Sequence, residues 1–309
     1  MKSELIVGQQ AAQKLDGKIA SQEIEAALSQ LVSKLPSPPC LALINIGTDY
    51  ASELYVKRKI EACRRVGIQS ILYSHTESST DVLLNLIESL NKGTEVNGIL
   101  VQLPLPKNID SEKVLRAVSP AKDVDGFHPE NLGGTLTGNA YLSPATPTGI
   151  MHLLECNDVR INGMNAVVIG RSVIVGRPMA AMLTNANATV TLCHSQTQDL
   201  KRIVQGADIV IAAVGSQWLI SPDMIKPGAV VVDVGINRTS DGKVTGDVDP
   251  AVEKIAGWLT PVPGGVGPMT IGALLSNTLK AYLLNSPDAL QYLRNEAQGL
   301  LGSLYPDLL

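Results

Sequence analysis

The sequence predicts an α/β protein of two domains, and three observations carry that expectation. Apolar, often β-branched runs alternate with helix-patterned stretches, the sequence signature of a parallel sheet with helical crossovers. A length of 309 residues with 45% hydrophobic side chains suffices for two cores. The stretch 166–178, AVVIGRSVIVGRP, reads as buried strand, tight turn and helix start.

Taken in order, residues 9–33 space their apolar side chains as a helix does, and Pro36, Pro38 and Pro39 stop it. Residues 41–46 then read as a strand closed by Gly47, and 51–66 as a helix ended by Gly67, since glycine accepts the left-handed terminating conformation. A strand at 68–73, a helix at 80–91 and a strand at 98–102 complete a βαβαβ run. Pro104 and Pro106 break the pattern before a short helix at 111–118. From Pro120 to Thr148 periodicity is lost among Gly, Pro, Asp and Asn, so this segment is expected to link the domains and line a cleft. A helix after Pro147 leads into a second domain with strands at 166–169, 188–193, 209–213 and 229–234, and Trp258-Leu259 at its edge. Residues 261–268, PVPGGVGP, precede a helix at about 269–284. The amphipathic segment 287–304 packs back on the first domain or on another subunit. The expected boundaries are 1–120 with 270–309 for the first domain, 121–148 for the link and 149–269 for the second.

Composition narrows the function. The net charge of −4 argues against nucleic acid as the main partner. Cys40, Cys63, Cys156 and Cys193 lack CxxC spacing and the four histidines form no HExxH, so no metal site and no disulfide framework are expected, and a reducing cytoplasm fits. Lys2 and Glu4 with no apolar core behind them argue against a signal peptide, and no apolar run is long enough to span a membrane.

The turn at 170–176 leaves backbone N–H groups at a helix start, which suits a pyrophosphate. The usual dinucleotide fingerprint has glycines at relative positions 0, 2 and 5; here Ser172 takes the second place and Gly176 comes one residue late, so an ordinary β-turn-α junction is the competing reading. At the end of the next strand an NAD site would carry an acid for the ribose hydroxyls. This chain has His194 and Ser195, with no carboxylate before Asp199. A hydroxyl with a nearby cation, Arg171, suits a 2′-phosphate, so the pattern favours NADP; alternatively Arg171 is a solvated loop residue and Ser195 a helix cap.

Three further groups could carry chemistry. Tyr55 and Lys59 lie four apart on one helix face, pairing a ring that stacks on a flat ligand with an amine that moves protons once its pKa is depressed; the run Lys57-Arg58-Lys59 could equally be a solvated basic face. Gln102 is polar at the carboxyl end of a strand, where parallel sheets bind ligands, or it satisfies strand-end backbone groups. Asp123 and Asp125, beside the sole Phe, Phe127, suit a ring with amidine-like N–H donors, or form an Asx turn with Gly126. Gly264, Gly265 and Gly267 permit close backbone approach to a ligand, or form a hinge.

Together, Tyr55-Val56-x-x-Lys59, VQLPLP at 101–106, KDVDG at 122–126, Gly170-Arg171-Ser172 and PVPGGVGPMT at 261–270 resemble the bifunctional methylenetetrahydrofolate dehydrogenase/methenyltetrahydrofolate cyclohydrolase family, in order from about residue 5 to 284. The resemblance implies two α/β domains around a cleft, the second a Rossmann-like dinucleotide-binding domain, usually in a homodimer. It implies NADP-dependent oxidation of 5,10-methylenetetrahydrofolate and hydrolysis of the methenyl product to 10-formyltetrahydrofolate. By resemblance Lys59 is the catalytic amine, tuned by Gln102. Tyr55 stacks on the folate, Asp125 anchors the pterin as a catalytic and substrate-binding residue, and Gly264 and Gly265 line the substrate. Gly170, Arg171, Ser172 and Ile236 contact the cofactor, Ser195 lies near its phosphate and Thr146 near the nicotinamide.

Two departures stand out. Where the family commonly has a second lysine two residues after the catalytic one, this chain has Glu61, which could pair with Lys57 or Arg65. A carboxylate there is expected to raise the pKa of Lys59 and weaken hydrolysis more than hydride transfer, so a dehydrogenase with little cyclohydrolase activity is the alternative. Tyr50 replaces a more usual proline and is expected to alter only the loop before the helix. A non-catalytic dinucleotide-binding or assembly protein is the third reading, against which Lys59, Gln102 and Asp125 together speak.

Overall fold

The computed structural model describes residues 11–239 and 242–309. Lys2, Glu4 and the start of the helix expected from residue 9 lie outside the described residues. The described chain runs β1 (Gln13–Lys14), α1 (Gly17–Val32), β2 (Cys40–Ile46), α2 (Tyr50–Val66), β3 (Gln69–His75), α3 (Thr80–Lys92), β4 (Gly98–Val101), α4 (Ser111–Ala117), α5 (Pro129–Thr137) and α6 (Ala145–Glu155). It continues with β5 (Asn165–Ile169), α7 (Gly176–Asn185), β6 (Thr189–Cys193), α8 (Leu200–Gln205), β7 (Ile209–Ala212), β8 (Val230–Asp233), β9 (Asn237–Arg238), β10 (Val244–Thr245), β11 (Trp258–Leu259), α9 (Val266–Leu284), α10 (Pro287–Glu296) and α11 (Gln298–Leu304). Two compact units result: one takes the described residues up to Lys18 with Ile150–Pro268, the other Ile19–Gly149 with Met269–Leu309.

In the second of these units a parallel sheet of order β3-β2-β4 has β2 at its centre, every residue of it buried. That explains the unbroken apolar run: a strand covered on both faces has no solvent side on which to alternate. Ala42, Ile44, Leu83, Ile87, Val101 and Val114 form the core on one face. Residues 122–124 run beside β4, Ile99 N donating to Lys122 O at 2.7 Å. Gly98 makes room for them, because a Cβ there would lie 2.6 Å from Val124 Cγ1.

The segment 121–148 is not a link. It belongs wholly to this unit and contains α5, with α6 starting at Ala145. The sequence concealed α5 because two glycines and few apolar residues leave no periodic stripe. The helix is held instead by polar contacts: His128 Nδ1 accepts from Glu130 N at its start, and buried Asn131 donates to Pro120 O at 2.9 Å and to Asp123 Oδ2 at 3.0 Å. The segment after Pro287 breaks into α10 and α11 and packs on α9, where Ser276 Oγ donates to the buried Tyr305 hydroxyl at 3.0 Å and that hydroxyl donates to Ser276 O at 2.9 Å.

The other unit holds a wholly parallel sheet of order β1-β11-β8-β7-β5-β6 around a core that includes Val167, Ile169, Val210, Val231 and Val252. Its edge is β1 and not Trp258-Leu259, since Gln13 and Lys14 pair with those two residues. Residues 11–18 were expected with the first domain, but this pairing puts them here, and a two-residue strand leaves no mark in a hydrophobic pattern. The carboxyl ends of β5, β6, β7 and β8 lie along one edge of this sheet, as a parallel arrangement requires.

Candidate active site

Lys59 sits on the inner face of α2. A helix advances about 100° per residue, so the basic run is split: Lys57 and Arg58 are exposed, while Lys59, only 8% exposed, shares the buried face with Val56 and Cys63. Asp49 sets the start of α2, its carboxylate accepting from Ser52 N at 2.8 Å and Ser52 Oγ at 2.9 Å. Tyr50 is the first residue of that helix rather than part of the preceding loop; this is the first-turn position that a proline also suits.

Across from it, β4 ends at Val101, and Gln102 N extends the ladder by donating to Ile44 O at 2.8 Å. The Gln102 side-chain amide donates to Leu103 O at 2.7 Å, which turns its oxygen toward Lys59, whose Nζ donates to Gln102 Oε1 at 3.1 Å. Burial lowers the Lys59 pKa, opposed by the charges of Asp125 and Cys63. Glu61 is exposed, and Arg65, one of the partners expected for it, forms its ion pair with Glu25 at 2.7 Å instead.

The two acids of KDVDG separate in role. Asp123 is buried and structural, Oδ2 accepting from His128 N at 2.7 Å and from Asn131. Lys122 is structural too, its Nζ donating to the carbonyls of Leu90, Asn91 and Gly93 at the end of α3. Asp125 keeps partial solvent access. Burial pushes its pKa up to about 6 against the pull of Lys59, and Asp123 adds to the rise. Its backbone is pinned: Asn277 Nδ2 donates to Val124 O at 2.8 Å, Ala145 N to Asp125 O at 3.2 Å, and Gly126 turns with φ +73° where a Cβ would strike the Ser143–Pro144 peptide at 2.5 Å. Lys59, Gln102 and Asp125 thus converge at the carboxyl end of β4. Tyr55, one turn before Lys59 on α2, is half-buried. Thr146, in the first turn of α6, shares a hydrogen bond of 3.1 Å with Thr270.

In the six-stranded unit, Gly170 ends β5 with φ +119°, and a Cβ there would lie 2.1 Å from Ala213 O; one on Gly176 would lie 1.9 Å from Gly170 O. Both glycines are therefore demanded by the turn. The turn closes more of its own amides than its sequence suggested. Ser172 Oγ accepts from Val175 N at 3.2 Å and Gly176 N at 3.3 Å, and Ser172 O accepts from Arg177 N at 3.0 Å. Arg171 and the Ser195 hydroxyl stand exposed at the ends of adjacent strands, β5 and β6. Ser195 does not cap a helix; Thr197 Oγ1 closes that turn by accepting from His194 N at 2.8 Å. Asp199, the first acid after β6, lies beside Arg202 at 3.7 Å. Ile236, following β8, is exposed.

Gly264 and Gly265 are buried by their own surroundings: a Cβ on the first would meet Lys18 Cε at 3.2 Å, on the second Thr260 Cβ at 2.7 Å. The helix after them starts at Val266, three residues earlier than expected, with Pro268 in its first turn. Sequence reasoning missed Asp233 and Asp247, both buried under the loops after β7 and β8. Their only signal was an acid shortly before a glycine at the end of an apolar run, VVDVG, and an acid directly after a glycine, TGDVD.

Two family models match: the tetrahydrofolate dehydrogenase/cyclohydrolase catalytic domain over residues 11–125 and the NAD(P)-binding domain of the same family over residues 144–286. The chain is 53% identical over 275 residues to the bifunctional protein FolD of Wolinella succinogenes, covering 87% of this chain and 96% of that one. Among solved structures it resembles the bifunctional FolD methylenetetrahydrofolate dehydrogenase/cyclohydrolase of Campylobacter jejuni, with TM-score 0.87 and 46% identity over 89% of this chain and all of that one. It also resembles the Trypanosoma brucei enzyme complexed with NADP cofactor and inhibitor, with TM-score 0.86 and 34% identity over 89% of this chain and 99% of that one. Two domain models in the family's order, covering most of the chain, and relatives matched along nearly their whole length lead to one conclusion: this chain belongs to the tetrahydrofolate dehydrogenase/cyclohydrolase family.

Proposed function

We infer that the chain is a bifunctional one-carbon enzyme. It oxidises 5,10-methylenetetrahydrofolate to the 5,10-methenyl form with NADP and hydrolyses that product to 10-formyltetrahydrofolate. The observation that carries this reading is the desolvated Lys59 amine held 3.1 Å from Gln102 Oε1 in the field of Asp125.

The residues at the end of β5 and β6 fit NADP. Gly170 and Gly176 carry no side chain at the two ends of the turn, α7 starts there, Arg171 is available as a cation, and no acid stands from His194 to Gln198 to repel a 2′-phosphate. When bound, NADP accepts the hydride. Arg171 and Ser195 would hold its 2′-phosphate, Gly170 and Ser172 would shape the turn that takes its pyrophosphate, and Ile236 and Thr146 are each proposed as cofactor contacts on the family resemblance.

The chain's own chemistry is concentrated in hydrolysis. Asp125, ionised above about pH 6, accepts from the N–H edge of the pterin and fixes its plane against Tyr55. Lys59, whose proton burial makes easier to lose, takes a proton from the water that adds to the methenyl carbon. It returns that proton to N5 as the C–N5 bond breaks, leaving the formyl group on N10 and releasing one proton to solvent. Gln102 orients the amine, and Gly264 and Gly265 are proposed as substrate residues on the family resemblance of the 261–270 run. The weakened-cyclohydrolase alternative turns on Glu61, which is exposed on α2, and the Glu61→Lys comparison decides between the two.

The exposed edge strand β3, with Ile71 and Leu72 at its surface, supports a homodimer, and the four free cysteines suit a reducing cytoplasm. Among the described residues no helix is long and apolar enough to cross a membrane. The test is to follow methenyl formation and decay separately with NADP and with NAD. NADP-dependent formation with rapid decay is expected; the absence of both NADPH production and methenyl decay would overturn the reading.

A further inference from the structure

Asp247 is fully buried, yet its carboxylate accepts four hydrogen bonds from the two loops above it. Val214 N at 2.7 Å and Gly215 N at 3.0 Å reach Oδ2, while Ser216 N at 2.8 Å and Asn237 Nδ2 at 2.9 Å reach Oδ1. Residues 214–216 follow β7, and Asn237 stands one residue beyond Ile236 after β8. One side chain therefore ties together the loops at the carboxyl ends of neighbouring strands, where parallel sheets bind their ligands. Asp233 holds Asp247 in turn, accepting from Asp247 N and Gly235 N at Oδ1 and from Val248 N at Oδ2, each at 2.9 Å. The packing leaves no slack: a Cβ on Gly235 would lie 2.3 Å from Asp247 Oδ1, and one on Gly246 would lie 1.8 Å from Asp233 Oδ2. The loops so fixed face solvent, with Gly215, Ser216 and Ile236 exposed.

We propose that Asp247 is a positioning residue for dinucleotide binding, setting the 214–216 loop and the presentation of Ile236 through its four hydrogen bonds. It touches no reacting atom and has no part in hydrolysis at Lys59. The inference rests on the NADP reading above.

In Asp247→Asn one acceptor oxygen becomes an NH2 group facing N–H donors, so at least one loop amide loses its partner. The expected result is an NADP Kd raised roughly tenfold or more, with the KM for NADP following, kcat at saturating NADP within about threefold, and methenyl decay without NADP unchanged. Asn237→Ala, which removes one donor and leaves the buried acids intact, raises the Kd about threefold. If Asp247→Asn does not fold, the second variant decides by the same titration. NADP Kd values within twofold of wild type, or a methenyl decay rate that falls in parallel with affinity, overturn the inference. Failure of the wild-type protein to bind NADP would instead overturn the cofactor reading, and the two outcomes are distinguishable.

Discussion

Lys59 and Asp125 hold each other's charge: burial lowers the pKa of the amine and raises that of the carboxyl, and each partner resists the other's neutralisation. The pair is built from separate elements, the buried face of α2 and the loop pinned beside β4. A lysine without that carboxylate would be neutral over a wider range, and a carboxyl without that lysine would protonate at higher pH. The coupling favours an ammonium beside a carboxylate, and burial, which opposes it at both groups, is what makes the Lys59 proton easier to lose.

Lys59→Met removes the amine and keeps the apolar volume. Cyclohydrolase activity should fall roughly 10²–10⁴-fold, the usual worth of a positioned general base. NADP-dependent formation of the methenyl product should survive, because hydride transfer uses no protein base. Methenyl accumulation without decay is the signature; hydrolysis retained at wild-type rate would remove Lys59 from the mechanism.

The KM for the folate substrate should rise as pH falls through about 6. The sign follows from Asp125: its pKa is raised from 3.8 to about 6, so it protonates well before an exposed carboxyl would and loses its hold on the N–H edge of the ring. Asp125→Asn should bind weakly at all pH values and show a flat profile over that range. A wild-type KM constant from pH 5 to 8 would contradict the assignment.

Glu61→Lys should change neither activity by more than about twofold, since exposed charges on a helix surface are screened by water. A variant that hydrolyses the methenyl product at least fivefold faster than wild type would restore the reading of a weakened cyclohydrolase.

Arg171→Ala should raise the KM for NADP roughly tenfold or more while leaving NAD largely unaffected, because a guanidinium–phosphate contact is lost only with the phosphorylated cofactor. Competing the two cofactors against the variant measures this directly. Equal loss with both would place Arg171 elsewhere.

Tyr305→Phe deletes the hydroxyl that accepts from Ser276 Oγ and donates to Ser276 O under the C-terminal helices. Leaving those groups unpartnered should cost about 1–3 kcal/mol, read by denaturant unfolding, with both activities unchanged in the folded protein. No loss of stability would mean that α10 and α11 do not brace α9.

The order of strands and crossover helices was written in the sequence, because apolar runs and helical spacing are local consequences of which faces meet water. The candidate site residues were named there too, Gln102 and Asp125 at breaks in that pattern and Lys59 by its spacing from Tyr55 and by family resemblance. The tertiary structure alone decided the rest. It turned Lys59 inward while Lys57 and Arg58 face solvent, and divided the two acids of KDVDG into a buried brace and a partly open anion. It drew residues 13 and 14 to the far edge of the six-stranded sheet and placed Asp247 beneath two loops more than 20 residues apart in sequence. These outcomes depend on hydrogen bonds and burial between segments distant along the chain, which no local spacing encodes.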